Sequence, residues 1–130
     1  MKEISLVETV QFYDTDCGGV VSNIAYLRYV ERARSVLFGE LGLEIQAMNE
    51  SQLFPAVIRT EIDYRYPARL GDEVEVRAKL LEVEKVRVTC GFTLETSEEK
   101  LVAEAKQVVA LVQMPSGKPR RTPEEWRNYL

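Results

Sequence analysis

Residues 12–26 read "FYDTDCGGVVSNIAY". Two aspartates, a cysteine and a glycine pair stand where an alternating run gives way to a long helical pattern. On the N-terminal side, residues 4–12 place Ile4, Leu6, Val10 and Phe12 on one face, the spacing of a strand. On the other side, Ile24 to Leu41 carries helical spacing. Leu27, Val30, Arg34, Leu37 and Leu41 trace one stripe, and Tyr26, Val30, Ala33 and Leu37 trace its neighbour. Gly42 is a stop just past the last turn. A stripe this broad predicts a largely buried helix.

Downstream, residues 44–51 suit a short second helix, and four strand-like runs follow. Ile58, Thr60, Ile62, Tyr64 and Tyr66 share one face, opposite Arg59, Glu61, Asp63 and Arg65. After the turn "PARLGD", Val74, Val76, Ala78 and Leu80 alternate with charged residues. Val86, Val88, Cys90, Phe92 and Leu94 do the same, and Leu101 to Val112 forms the last strand after the hairpin turn "SEEK". In the tail, Thr122, Pro123 and Glu125 have the spacing of a capping box at a helix start. Connections this short cannot make parallel crossovers. The prediction is therefore one domain, residues 1–130, of the α+β class: an antiparallel five-stranded sheet packed on one long helix.

Composition excludes several functions. A net charge of −4 offers no basic footprint for nucleic acid. No apolar run approaches the ~20 residues needed to span a bilayer. The opening "MKEISLVETV" lacks the apolar core of a signal peptide, which predicts a cytoplasmic protein. Cys17 and Cys90 are too few for a disulfide framework and read as free thiols. The count of histidines is zero, which rules out any Ser-His-Asp or Cys-His relay within the chain. It also leaves no ordinary zinc ligand set, so no metal is expected. Catalysis must rest on carboxylates, backbone dipoles, tyrosines, lysines or a cysteine acting alone.

The order β-α-β-β-β-β, with "FYDTDCGGVV" ahead of a helix containing "YLRYVERAR", resembles the hotdog-fold acyl-CoA thioesterases, in particular the 4-hydroxybenzoyl-CoA thioesterase group with its YbgC-like members. The matching features are Asp14 and Asp16, the turn Gly19-Val20-Val21, Tyr26, and Glu31-Arg32-Ala33-Arg34. A further likeness lies in "IDYRYPARLGDEVEV". Asn23 stands where the family usually has His or Tyr, and Ala25 where it usually has Asn. The resemblance implies a hotdog sheet wrapped around a central helix and hydrolysis of an acyl-CoA thioester. It also implies that Asp16 is the catalytic carboxylate and that the backbone N–H around Asn23 polarises the carbonyl. Gly19, Val20, Asn23 and Tyr26 would then contact substrate, with Lys85 and Arg87 at the nucleotide end. No cofactor is implied beyond the coenzyme A of the substrate itself. The implied assembly is a homotetramer made of two dimers, with acyl carrier protein as a further candidate partner.

Physical chemistry makes these assignments coherent. Thioester hydrolysis needs a base or nucleophile on one side of the carbonyl and an oxyanion stabiliser on the other. A helix start presents unpaired N–H groups and a partial positive charge. Removing one good oxyanion donor typically costs about 10²–10³ in rate. Gly18 and Gly19 leave the backbone free to approach a ligand, and Asp16 can activate water or attack directly. The residues also admit a plainer reading, in which both aspartates merely hydrogen-bond turn amides. Asp14 is assigned to holding the loop and Cys17 to packing. Glu31 is the second choice of carboxylate, although pairing with Arg34 or Arg65 is its commoner fate. Lys118, Arg120 and Arg121 form a separate basic run. A competing function is a non-catalytic module that binds acyl-CoA or acyl carrier protein. A hotdog dehydratase is nearly excluded, because its chemistry needs histidine.

Overall fold

The structure is a computed structural model that describes residues 2–130. Strand β1 (Glu3–Thr9) leads through a 3-10 turn (Phe12–Asp14) to helix α1 (Asn23–Glu40) and the short helix α2 (Ile45–Ser51). Strands β2 (Leu53–Tyr64), β3 (Glu73–Val83), β4 (Val88–Thr96) and β5 (Leu101–Gln113) follow. A three-residue strand β6 (Lys118–Arg120) and a 3-10 helix (Glu124–Tyr129) end the chain. The sheet order is β1-β3-β4-β5-β2, antiparallel throughout, with β6 added beside the end of β5. The chain therefore forms the expected α+β layer, with the sheet packed on one long helix, but the sheet has six strands where five were expected, because the tail returns to pair β6 with β5.

Strands β3, β4 and β5 are joined as hairpins, but β2 lies at the far edge beside β5. The segment "PARLGD" is thus part of a connection that crosses the end of the sheet, where a simple turn was expected. That crossing carries Ala68, fully buried, past the start of α1. The even-numbered residues Val74 to Leu80 of β3 are buried, as their alternation predicts. With Cys90, Phe92, Leu94, Ala103, Ala105 and Val109 they form the floor on which Val30, Ala33 and Leu37 of α1 sit.

Several expectations are corrected. Strand β1 stops at Thr9, and Phe12 stands 80% exposed in the 3-10 turn, because the chain must leave the sheet to reach the helix. Helix α1 buries only one face; Leu27 is 40% exposed because the helix lies over β1, β3 and β4 and leaves β2 at the far edge. Strand β2 begins at Leu53, five residues before its alternation becomes visible, and Ile58 and Tyr64 on it are about half exposed. Val86 is exposed, in the turn between β3 and β4. The tail forms a 3-10 helix with Pro123 at its cap position and no side-chain cap. Thr122 instead gives its backbone N–H to Lys85 C=O at 2.8 Å. Among the described residues no helix is long and apolar enough to cross a membrane.

Candidate active site

Residues Asp14 to Ser22 fold as a miniature hairpin between the 3-10 turn and α1. Ser22 N–H donates to Asp14 C=O at 2.9 Å, Thr15 bridges Val21, and Asp16 N–H donates to Val20 C=O at 3.0 Å. At the tip, Gly19 has φ +75°, a left-handed conformation that favours glycine, and its N–H closes the turn on Asp16 C=O at 3.0 Å. Gly18 N–H donates to Asp16 Oδ1 at 2.9 Å, and a Cβ on Gly18 would lie 3.4 Å from that oxygen. The glycines therefore serve turn geometry first. Asp16 is exposed, held with one carboxylate oxygen against the tip.

The second arm of the hairpin runs straight into α1. Ser22 caps the helix, its Oγ accepting Ala25 N–H at 3.3 Å, so Asn23 and Ile24 offer first-turn amides that the helix itself leaves unpaired. The same arm is braced by the crossing segment: Val21 N–H donates to Ala68 C=O at 2.8 Å, and Val20 bridges Arg69. Tyr26 Oη accepts Ala68 N–H at 3.0 Å, which makes this buried tyrosine a strut as well as a wall. Beside the helix start lies a cleft of about 270 Å³ lined by Val21, Asn23, Tyr26, Tyr64, Tyr66 and Pro67. The Tyr26 and Tyr64 rings pack at 5.4 Å between centroids.

Asp14 behaves as the loop-holding acid. Its carboxylate is 4% exposed and accepts Gln11 N–H at 2.9 Å, the Tyr29 hydroxyl at 2.8 Å and an Arg28 guanidinium N–H at 3.1 Å. Burial works to raise this carboxyl. The bonds from Gln11, Tyr29 and Arg28 outweigh it and hold the group below the usual carboxylate range. Burial and the neighbouring carboxylate push the Tyr29 hydroxyl well above its ordinary range, so it remains a donor at neutral pH. Both aspartates thus bond turn amides, as the plainer reading of the motif expects.

The structure brings Asp16, Gly19, Val20, Asn23 and Tyr26 to one end of the sheet but leaves Lys85 and Arg87 at the other. Thr9 pairs with Glu73, and Val10 N–H donates to Asp72 C=O, which roots the hairpin at the Glu73 end of β3. Lys85 and Arg87 follow the opposite end, Val83. Eleven residues of strand at roughly 3.3 Å each put about 35 Å between these ends. There the tail folds back, Thr122 N–H bonding Lys85 C=O, and brings Pro119 and Arg127 beside Lys85 and Arg87, while Lys118, Arg120 and Arg121 do not line the cleft they form. A cleft of about 570 Å³ is lined by Lys85, Arg87 and Arg127 over Ile58, Val86 and Ala110. Arg127 was missed because its helix approaches Lys85 only through tertiary contacts. Arg87 also faces Glu84 at 3.4 Å, and Arg120 bonds Gln113 at 2.8 Å.

One further expectation changes. Cys17 is exposed at the hairpin tip, so it does not pack as a core residue, whereas Cys90 is buried and its thiol is pushed up to about 12 by burial. Glu31 is exposed and pairs with Arg34 at 3.5 Å, one of the two partners expected for it, while Arg65 pairs with Glu104 and Asp63.

An acid on a hairpin that feeds the start of a long helix, with an aromatic cleft nearby and a sheet packed on that helix, is the arrangement that the resemblance to the hotdog thioesterases implies. Comparison with known proteins agrees. The family model described as the thioesterase-like superfamily matches residues 10–130. The acyl-CoA thioesterase YbgC of Haemophilus influenzae is 32% identical over 117 residues, covering 89% of this chain and 85% of that protein. The acyl-CoA thioester hydrolase YbgC of Escherichia coli is 29% identical over 115 residues, covering 88% and 86%. The crystal structure of a probable thioesterase from Bartonella henselae aligns with a TM-score of 0.87 at 26% identity, covering 94% of this chain and 100% of that one. The chain belongs to the thioesterase-like superfamily.

Proposed function

We propose that the protein hydrolyses acyl-CoA thioesters, with Asp16 activating the attacking water or adding directly to the carbonyl carbon. The first-turn amides of α1 around Asn23 would hold the developing oxyanion, where a helix N-terminus favours negative charge. In the water route, the carboxylate accepts a proton as the water oxygen bonds to carbon. The tetrahedral intermediate then expels the thiolate of coenzyme A. The observation that carries this reading is the hairpin that joins Asp16 to the capped start of α1 beside a tyrosine-lined cleft. The YbgC relatives support the substrate class. A panel of aromatic, short-chain and long-chain acyl-CoAs, followed by release of free thiol, tests it. Turnover of at least one group is expected; release from none of them, by a folded protein, would defeat the proposal.

We further propose that the site is completed by a second copy. Lys85 and Arg87 are too far from Asp16 in their own chain to share one coenzyme A with it. Strand β2 has β5 on one side only and keeps Ile58, Tyr64 and the adjoining Tyr66 partly exposed, the kind of edge that invites pairing. A dimer, doubled to a tetramer, would bring one chain's basic cleft towards another chain's acid. Light scattering is expected to give a mass of two or four chains at micromolar concentration. A monomer under those conditions would remove the shared site.

A further inference from the structure

Tyr26 and Tyr29 leave α1 one turn apart; the Tyr29 hydroxyl bonds the root of the Asp16 hairpin, and the Tyr26 hydroxyl bonds the crossing segment that braces the hairpin's second arm. Tyr26 receives Ala68 N–H from the crossing segment, while Tyr29 donates to Asp14 at the hairpin root. The two rings meet edge to face, 6.3 Å between centroids, which restrains both. Asp14 then closes a circuit. Its side chain is bonded to the second turn of α1 through Tyr29, and its carbonyl takes the N–H of Ser22, the residue that caps the same helix. The bond from Gly18 N–H to the Asp16 carboxylate is local to the tip. The distance from Asp16 to the helix amides therefore depends on how firmly the root is held.

We infer that the Tyr29–Asp14 hydrogen bond is a latch that positions Asp16 against the N-terminus of α1, making Tyr29 and Asp14 positioning residues for turnover. This rests on the acyl-CoA hydrolase reading for its kinetic consequence, but the latch itself is a property of the fold. A misplacement of about 1 Å in a reacting group costs on the order of 100-fold in rate. Tyr29→Phe keeps the ring and its packing and deletes only the donor. Asp14→Asn keeps the shape but turns an N–H₂ toward donors that need an acceptor.

Two measurements test the latch together. Steady-state kinetics on an acyl-CoA that the wild type turns over should show kcat for Tyr29→Phe lowered by about tenfold to 100-fold, with KM within about twofold of wild type. In an Asp16→Asn background the same substitution should cost no further turnover, because the latch acts through that acid. Amide hydrogen exchange should show faster exchange at Asp16, Gly19 and Ser22 in Tyr29→Phe, with the buried middle of α1 unchanged. Unchanged exchange at the hairpin would overturn the latch whatever the substrate proves to be. Faster exchange with unchanged kcat, or an equal loss on top of Asp16→Asn, would overturn the positioning role. Should the wild type hydrolyse no acyl-CoA while the hairpin amides of Tyr29→Phe exchange faster, the substrate reading fails and the latch stands.

Discussion

Replacing Asp16 by asparagine is expected to lower kcat by about 10²–10⁴-fold, the usual contribution of a positioned base, while folding and substrate binding stay nearly intact. The side chain is exposed and its partner is Gly18 N–H, which the amide oxygen of asparagine can still accept. The variant therefore keeps the turn but can neither take a proton nor form an acyl intermediate. The comparison is kcat and KM on one good acyl-CoA, with the melting temperature as a control on folding. A companion observation is the pH profile. With no histidine in the chain to add a limb there, kcat/KM should stay flat through neutrality. A thiolate nucleophile would instead make the rate climb with pH. A climbing profile with inactivation by an alkylating reagent would transfer the role to Cys17, which is exposed at the same hairpin tip. Full activity of the variant on a flat profile would point to Glu31, already facing Arg34.

Trp126→Ala is expected to cost the most stability of any single side chain in the tail. The indole is 2% exposed, stacks on Phe38 of α1 at 5.6 Å, and donates its ring N–H to Leu41 C=O at 3.2 Å. Truncation leaves a cavity under the C-terminal end of α1 and an unpaired carbonyl at the residue that caps it. Losses of this kind run to about 3–5 kcal/mol, and for a chain of this size that corresponds to a melting temperature lower by about 10–20 °C. Trp126→Phe should recover much of the packing but not the hydrogen bond. Calorimetry checks both. A melting temperature for Trp126→Ala within about 2 °C of wild type would mean the tail is not part of the cooperative core. The same substitution should also loosen the bond from Thr122 to Lys85 and, with it, the basic cleft.

The identity of the elements and the chemistry of the Asp16 loop are legible in the residues alone. Alternation marks Val74–Leu80 and Cys90–Leu94 as half-buried strands, and the stripe through Val30, Ala33 and Leu37 marks the long helix. These patterns are local, because side-chain periodicity follows from backbone geometry alone. The acids and glycines of "DTDCGG" were legible for a similar reason, since turn chemistry acts over a few residues.

Everything that depends on which distant segments meet was decided by the tertiary structure. Strand β2 shows no sequence sign of lying beside β5, so the passage of Ala68 past the start of α1 could not be read from "PARLGD". The partnership of Tyr29 with Asp14 spans fifteen positions, and that of Trp126 with Leu41 spans eighty-five. Each is a specific hydrogen bond inside a core that periodicity describes only as apolar. Lys85 and Arg87 show the limit most clearly. The resemblance assigned them to the same ligand as Asp16, but the antiparallel sheet puts them at opposite ends of β3, because a strand is a rigid spacer whose length is fixed by its residue count.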